Sequence, residues 1–246
     1  MSSIFRVREV CDNSYEELKE SYLWFSRRCG FKDINDANIG EFFTCNNTIL
    51  KALKRHMTED GIQELCTLMD CTGICCFTKE LPSLDNKSHF PRNKDSICIE
   101  YHKETLENFF SNSHYAMADC FKEIVYADDI LKLEQDGDYH ILVSQDTDGS
   151  FYESVYALTK DEKALDKLMW MALTRISTRF SNQKESRIIL GGRNIPSFDK
   201  DLKGYQVPIP PSAIKAIHIY PNTSADFIKR LKKTPRLEEK IKMVSE

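Results

Sequence analysis

The sequence predicts a single α+β domain that spans residues 1–246. Short runs rich in β-branched and aromatic residues recur along the chain, and turn residues rather than a linker separate them. Between these runs, apolar residues recur at helical intervals. A chain of 246 residues can bury a sizeable core, and no repeat or low-complexity tract marks a domain boundary.

The N-terminal segment predicts a strand, a helix and a second strand in succession. Residues 4–10 alternate as a strand does, and Ser14 and Glu17 have the spacing of a capping box for a short helix. Residues 23–26 then form the second predicted strand. The polar loop at residues 32–38, rich in Asp and Asn, follows that strand and is a good place for a site.

The rest of the chain continues the alternation of strands and helices. Further strands are predicted at residues 73–77, 97–101, 121–126, 140–143, 187–190 and 214–220. Helical patterns cover residues 46–70 as two helices, residues 150–180 as one helix or two, and the charged tail at residues 228–246. The sheet is therefore expected to draw on the whole sequence.

Composition and charge argue against two classes of protein, general nucleic-acid binders and membrane or exported proteins. The 34 basic and 38 acidic residues are mixed along the chain and give a net charge of −4, which is not the overall charge of a nucleic-acid binder. The N-terminus lacks the apolar core of a signal peptide, and no apolar run reaches the roughly 20 residues of a membrane span. We therefore expect a cytoplasmic protein with no membrane partner.

The nine cysteines predict reduced thiols rather than disulfides or a metal site. Their number is odd and no export signal accompanies them. The densest group, from Cys66 to Cys76, lacks the paired CxxC spacing and the following histidines of a structural zinc site. No dinucleotide fingerprint, phosphate loop, zincin or nucleophile-elbow motif is present either.

Several short motifs occur in an order that points to a known family. They are LWFS at residues 23–26, Asn35-Asp36, GICCFT at residues 73–78, SHF at residues 88–90 and ICIEY at residues 97–101. With the segments at residues 122–126 and 184–189, this succession resembles the family called domain of unknown function 2971 over most of the chain.

That family is itself similar to the ADP-ribosyltransferase fold, and the similarity implies a split sheet with a cleft between its halves. The fold has a cation on its first strand, an aromatic-rich second strand and a glutamate at the start of a late strand. Here those parts are matched by Arg6 and Arg8, by residues 23–26, and by Glu185.

The resemblance implies an enzyme that uses NAD as a substrate and transfers ADP-ribose to a macromolecular target, either protein or nucleic acid. Glu185 and Arg6 would be catalytic, with Glu185 stabilising the ribosyl cation and Arg6 holding the dinucleotide. The residues implied to bind NAD are Arg8, Trp24, Phe25, Ser26, Asn35, Asp36, His89 and Arg187. Related families include toxins and antiviral defence effectors, which implies an antitoxin or regulatory protein as a partner.

The residues themselves leave structural interpretations open. Arg6 and Arg8 would also suit a solvated strand face, and Asn35-Asp36 would suit an Asx turn. Glu185 would suit a surface carboxylate paired with Lys184 or Arg187. Trp24 and Phe25 would suit the core. Ser26 would suit an ordinary strand-end hydroxyl, and His89 a hydrogen-bonded structural histidine.

Two other functions are also left open by the sequence. One is a non-enzymatic module in which His89, Asn35 and the arginines of the first strand recognise a partner or an RNA. The other is a metal-dependent nucleic-acid hydrolase that would use Asp36, Glu100 and Glu185.

Overall fold

The computed structural model describes residues 2–31, 36–38, 41–42, 45, 58–83, 95–113, 120–129, 172–190 and 203–244. Over these ranges the protein is an α+β structure built on a mainly antiparallel sheet, as the sequence predicts. The strand predicted at residues 140–143, the first part of the helical segment at residues 46–70 and most of the pattern at residues 150–180 lie outside the described residues.

The described strands alternate with helices along the chain. The strands are β1 Ser3–Glu9, β2 Tyr22–Ser26, β3 Gly73–Thr78, β4 Ser96–His102, β5 Phe121–Glu123, β6 Val125–Ala127, β7 Arg175–Ser177, β8 Glu185–Leu190, β9 Gly204–Pro208, β10 Ile214–Ile219 and β11 Ile241–Met243. The helices are α1 Asp12–Glu20, α2 Glu59–Asp70, α3 Lys103–Asn112, α4 Ala225–Lys232 and α5 Pro235–Glu238.

One sheet contains nine of these strands. On one side β11, β10, β4 and β1 lie in that order, and β1 pairs with β4 along its whole length. On the other side β2 pairs with β9, while β3 pairs with β8 and β8 with β5. All of these pairs are antiparallel except β10 with β11, and the short strands β6 and β7 form a separate parallel pair.

A hydrophobic core lies between the sheet and helices α1, α3 and α4. Each helix contributes an apolar face, because apolar residues three or four positions apart share one side of a helix. The buried helix residues are Leu18, Leu106, Phe110, Phe227 and Leu231, and they join strand residues such as Leu23, Phe25 and Ile99 in one cluster. Burial of each large side chain stabilises the fold by about 2 kcal/mol.

Helix α1 begins earlier than its predicted capping box. The backbone N–H of Cys11 donates to Ser14 Oγ at 3.0 Å, so Cys11 is the N-cap and Ser14 lies in the first turn. The predicted pairing of Ser14 with Glu17 is therefore wrong. Glu17 lies in the interior of α1, and its side chain is available to bind other elements.

Three further expectations need correction. The predicted α-helix does not run to Phe180, because Arg175–Ser177 is a strand that pairs with β6 and Thr178–Gln183 is a 3₁₀ helix. The tail is helical only as far as α5, after which β11 joins the sheet edge. Residues 121–126 form parts of two short strands in different sheets. Strand β9 was not predicted. Among the described residues, no helix is long and apolar enough to cross a membrane.

Candidate functional site

Strands β1 and β2 share one edge of β3 and separate from each other along it. Phe5 of β1 is opposite Thr78 at one end of β3, and Ser26 of β2 is opposite Ile74 at the other end. Because β8 covers the opposite edge of β3 along its whole length, β1 and β2 have to meet the same remaining edge. The strands diverge between these two contacts and leave a split in the sheet.

The split forms a cleft with two adjoining lobes. Arg6, Val7 and Cys76 line both lobes. The first lobe, of about 140 Å³, also has Glu185 in its wall, and the second, of about 200 Å³, also has Arg8, Ser26 and Phe31. Two residues predicted to be catalytic and two predicted to bind NAD thus lie in one cleft, although they come from three different strands.

Arg6 links β1 to β2 near the point where the two strands separate. Its guanidinium donates to the carbonyl oxygen of Trp24 at 2.8 Å and also binds the carboxylate of Glu17. Arg8 Nε lies 2.8 Å from the other oxygen of Glu17. Arg6 is buried, whereas the side chain of Arg8 is 23% exposed, and Arg8 is one of the residues that line the second lobe. Arg6, Glu17 and Arg8, which we call the cationic trio, carry one net positive charge.

Glu185 begins β8 and lies at the end of the first lobe. Its carboxylate accepts a hydrogen bond from Arg187 Nε at 2.8 Å, and its backbone N–H donates to Tyr126 Oη at 2.7 Å. The preceding residue, Lys184, has a φ of 45°, a left-handed value that residues other than glycine seldom adopt. Glu185 is therefore held both by its backbone and by its side chain.

Arg187 is almost completely buried and binds two carboxylates. Its two terminal nitrogens each donate to one oxygen of Asp36 at 2.9 Å, and one of them also donates to the carbonyl oxygen of Leu173 at 2.6 Å. Burial acts to lower the pKa of Arg187, but the carboxylates of Glu185 and Asp36 outweigh this and raise it. Asp36, Arg187 and Glu185, which we call the anionic trio, carry one net negative charge.

The aromatic residues of β2 do not lie where a ligand in the cleft would need them. Successive strand side chains point to opposite faces, so Trp24 and Phe25 cannot both frame one ligand. Phe25 is fully buried in the core, with its ring against Phe110, and the prediction that it contacts a cofactor is corrected here. The indole of Trp24 lies over Gly204, where an added Cβ would come within 2.6 Å of it.

One aromatic residue that was not predicted as a site residue lines the second lobe. Phe31 lies after β2 and directly before the polar loop, with its ring 5.7 Å from the guanidinium carbon of Arg187. Its position directly before that loop was the signal that could have identified it. Cys76, also missed, lines both lobes, and burial together with the nearby carboxylate of Glu185 raises the pKa of its thiol well above the usual value.

Two predicted contacts cannot be placed, and the predicted metal ligands do not come together. Asn35 and His89 lie outside the described residues. Glu100 binds Ser3, Lys215 and His218, whereas Asp36 and Glu185 bind Arg187. Over the part of the chain that the structure describes, no group of three or more metal-ligating side chains occurs.

Comparison with known proteins gives no information about these site residues. No family model matches the chain, and neither does any curated protein or solved structure.

Proposed function

We propose that this protein is a cytoplasmic ADP-ribosyltransferase-like enzyme that cleaves NAD in the split of its sheet and transfers ADP-ribose to a macromolecule. The proposal rests on the resemblance of the sequence motifs and on the residues that line the cleft. Arg6, Ser26 and Glu185, taken from the first strand, the second strand and a late strand, lie around the same opening.

The observation that carries the proposal is the opposite charge at the two ends of the cleft. Arg8 lines the second lobe and Glu185 lines the first, while Arg6 lines both. NAD has the same polarity, because its pyrophosphate is anionic and its nicotinamide ring carries a positive charge. A ligand of one sign throughout would meet a group of like charge at one end of the cleft.

The polarity of the cleft gives each side chain a role with NAD. Arg8, the more exposed arginine, would bind the pyrophosphate, and the buried Arg6 would add positive charge while it holds β1 to β2. Ser26 would hydrogen-bond the dinucleotide. Phe31, which lines the second lobe with Arg8, would pack its ring against the part of the dinucleotide that Arg8 holds.

The reaction at Glu185 would proceed through a cation-like ribose. The bond between ribose C1′ and the nicotinamide nitrogen breaks, and nicotinamide leaves as a neutral molecule with the bonding electron pair. The carboxylate of Glu185 stabilises the positive charge that develops on the ribose. A nucleophile of the target then bonds to C1′ and loses its proton, or water does so in the absence of a target.

Release of nicotinamide tests this proposal directly. Purified protein is incubated with NAD, with and without cell lysate, and nicotinamide and labelled ADP-ribose on protein or RNA are measured. The Glu185→Gln variant keeps size but removes the charge, which should cost about 3 kcal/mol of transition-state stabilisation, or about a hundredfold in rate. Glu80→Gln is the matched control, because Glu80 is an exposed carboxylate paired with Lys184.

The outcomes separate the proposed enzyme from a binding module. NAD should also raise the melting temperature of the wild type, whereas ATP should not. No nicotinamide release and no NAD-specific stabilisation would favour recognition of a partner or RNA without catalysis. If the enzyme acts as a toxin or antiviral effector, an antitoxin or regulatory protein would be expected among the proteins that copurify with it.

A further inference from the structure

Four of the five guanidinium N–H groups of Arg187 donate to oxygens of the protein. Asp36 occupies both terminal nitrogens of the guanidinium at 2.9 Å, and the carbonyl of Leu173 takes a further N–H. Only Nε donates to Glu185, and it contacts one oxygen, Oε1, at 2.8 Å. Arg187 is therefore committed within the protein, and its side chain is 1% exposed. It is not placed to bind NAD, which corrects its predicted role.

We propose that Asp36 is a positioning residue that keeps the carboxylate of Glu185 available to the ribose. The inference rests on the proposed function. An arginine fork binds a carboxylate most strongly through two parallel hydrogen bonds. Asp36 holds the two terminal nitrogens in that bidentate way, which fixes the plane of the guanidinium and with it the direction in which Nε donates to Glu185.

Removal of the Asp36 charge would change what Arg187 does to Glu185. The guanidinium would keep its buried positive charge and lose its bidentate partner, so it would turn to share a second N–H with Glu185. The carboxylate would then be drawn away from the cleft and neutralised by a closer cation. Asp36 thus acts on the reaction through Arg187 and Glu185, and not by contact with NAD.

The test measures NAD cleavage by Asp36→Asn and Asp36→Glu. We expect Asp36→Asn to lower kcat by about tenfold to a hundredfold with little change in the KM for NAD, because Arg8, which would bind the pyrophosphate, is held by Glu17 and not by Asp36 or Arg187. Asp36→Glu keeps the charge and should restore much of the loss. Asp12→Asn, which removes one partner of an exposed ion pair with Arg230, is the control and should match the wild type.

A double-mutant cycle shows whether Asp36 acts through Glu185. In a Glu185→Gln background, Asp36→Asn should cause no further loss of the residual cleavage, whereas a general structural defect would lower both backgrounds equally. If Asp36→Asn unfolds the protein, Asp36→Glu is used in its place. Its NAD cleavage is then compared with that of the unsubstituted Asp36 protein, both with Glu185 and with Glu185→Gln. The inference alone would be overturned if the wild type is active and the Asp36 variants have an unchanged kcat. It would also be overturned if the losses caused by Asp36→Asn and Glu185→Gln are additive. An inactive wild type would overturn the proposed function and this inference together.

Discussion

The carboxylate of Glu17, on helix α1, binds the guanidinium of Arg6, on strand β1. Both side chains are nearly inaccessible, at 1% and 8% exposure, and Arg8 binds the second oxygen of Glu17. Arg6 in turn binds the Trp24 carbonyl on the edge of β2. The position of both cleft arginines therefore depends on one carboxylate of the helix.

Substitution of Glu17 should destabilise the whole fold. Glu17→Gln leaves two arginines without their counter-charge, one of them buried, and removal of one partner from a buried pair costs about 3 kcal/mol. Urea unfolding of both proteins, followed by circular dichroism, measures this loss. Glu16→Gln is the control, because Glu16 is exposed and pairs only with the exposed Lys19 among the described contacts, so it should change stability by less than about 0.5 kcal/mol. Equal effects of the two substitutions would contradict the prediction.

The environment of Glu100 predicts a loss of stability in acid. Burial acts to raise the pKa of Glu100, but hydrogen bonds from Lys215, Ser3 and His218 outweigh this and lower it to about 2. Since the pKa in the unfolded chain is about 4.3, the stabilisation is complete above that pH and is lost as the pH falls toward 2. The urea midpoint should therefore fall more steeply below pH 4.3 in wild type than in Glu100→Gln. Identical acid slopes for the two proteins would exclude this role of Glu100.

The cysteines should fall into two classes of reactivity in the folded protein. Burial raises the pKa of Cys75 and of Cys98 to about 12, and the thiolate is the reactive form, whereas Cys11 and Cys29 are exposed. A thiol reagent at pH 8 should label the exposed pair first and leave the buried pair until the protein unfolds, as read by mass spectrometry. All nine cysteines should react after denaturation without a reductant, because each is a free thiol in the structure. Protection of any pair under those conditions would reveal a disulfide.

Strands with strong local patterns were predicted correctly, and the errors have physical causes. β1, β2, β3 and β4 lie within a residue or two of their predicted positions. The helix predicted through residue 180 fails at Arg175–Ser177, since the apolar spacing of that segment also suits a short strand, and pairing with β6 decides between them. The opposite orientations of Trp24 and Phe25 were readable from the two-residue period of a strand, and Phe25 is buried as that period requires.

The sequence by itself determined the fold class and most of the described strands, because these depend on local periodicity. Only the tertiary structure decided which charged side chains form ion pairs. Asp36 and Arg187 are 151 positions apart, and Glu17 reaches Arg6 from a different element, so neither pair could be read from spacing. Such pairs follow from the order of strands in the sheet, since the edge of β3 that β1 and β2 share creates the cleft in which Arg6, Ser26 and Glu185 lie together.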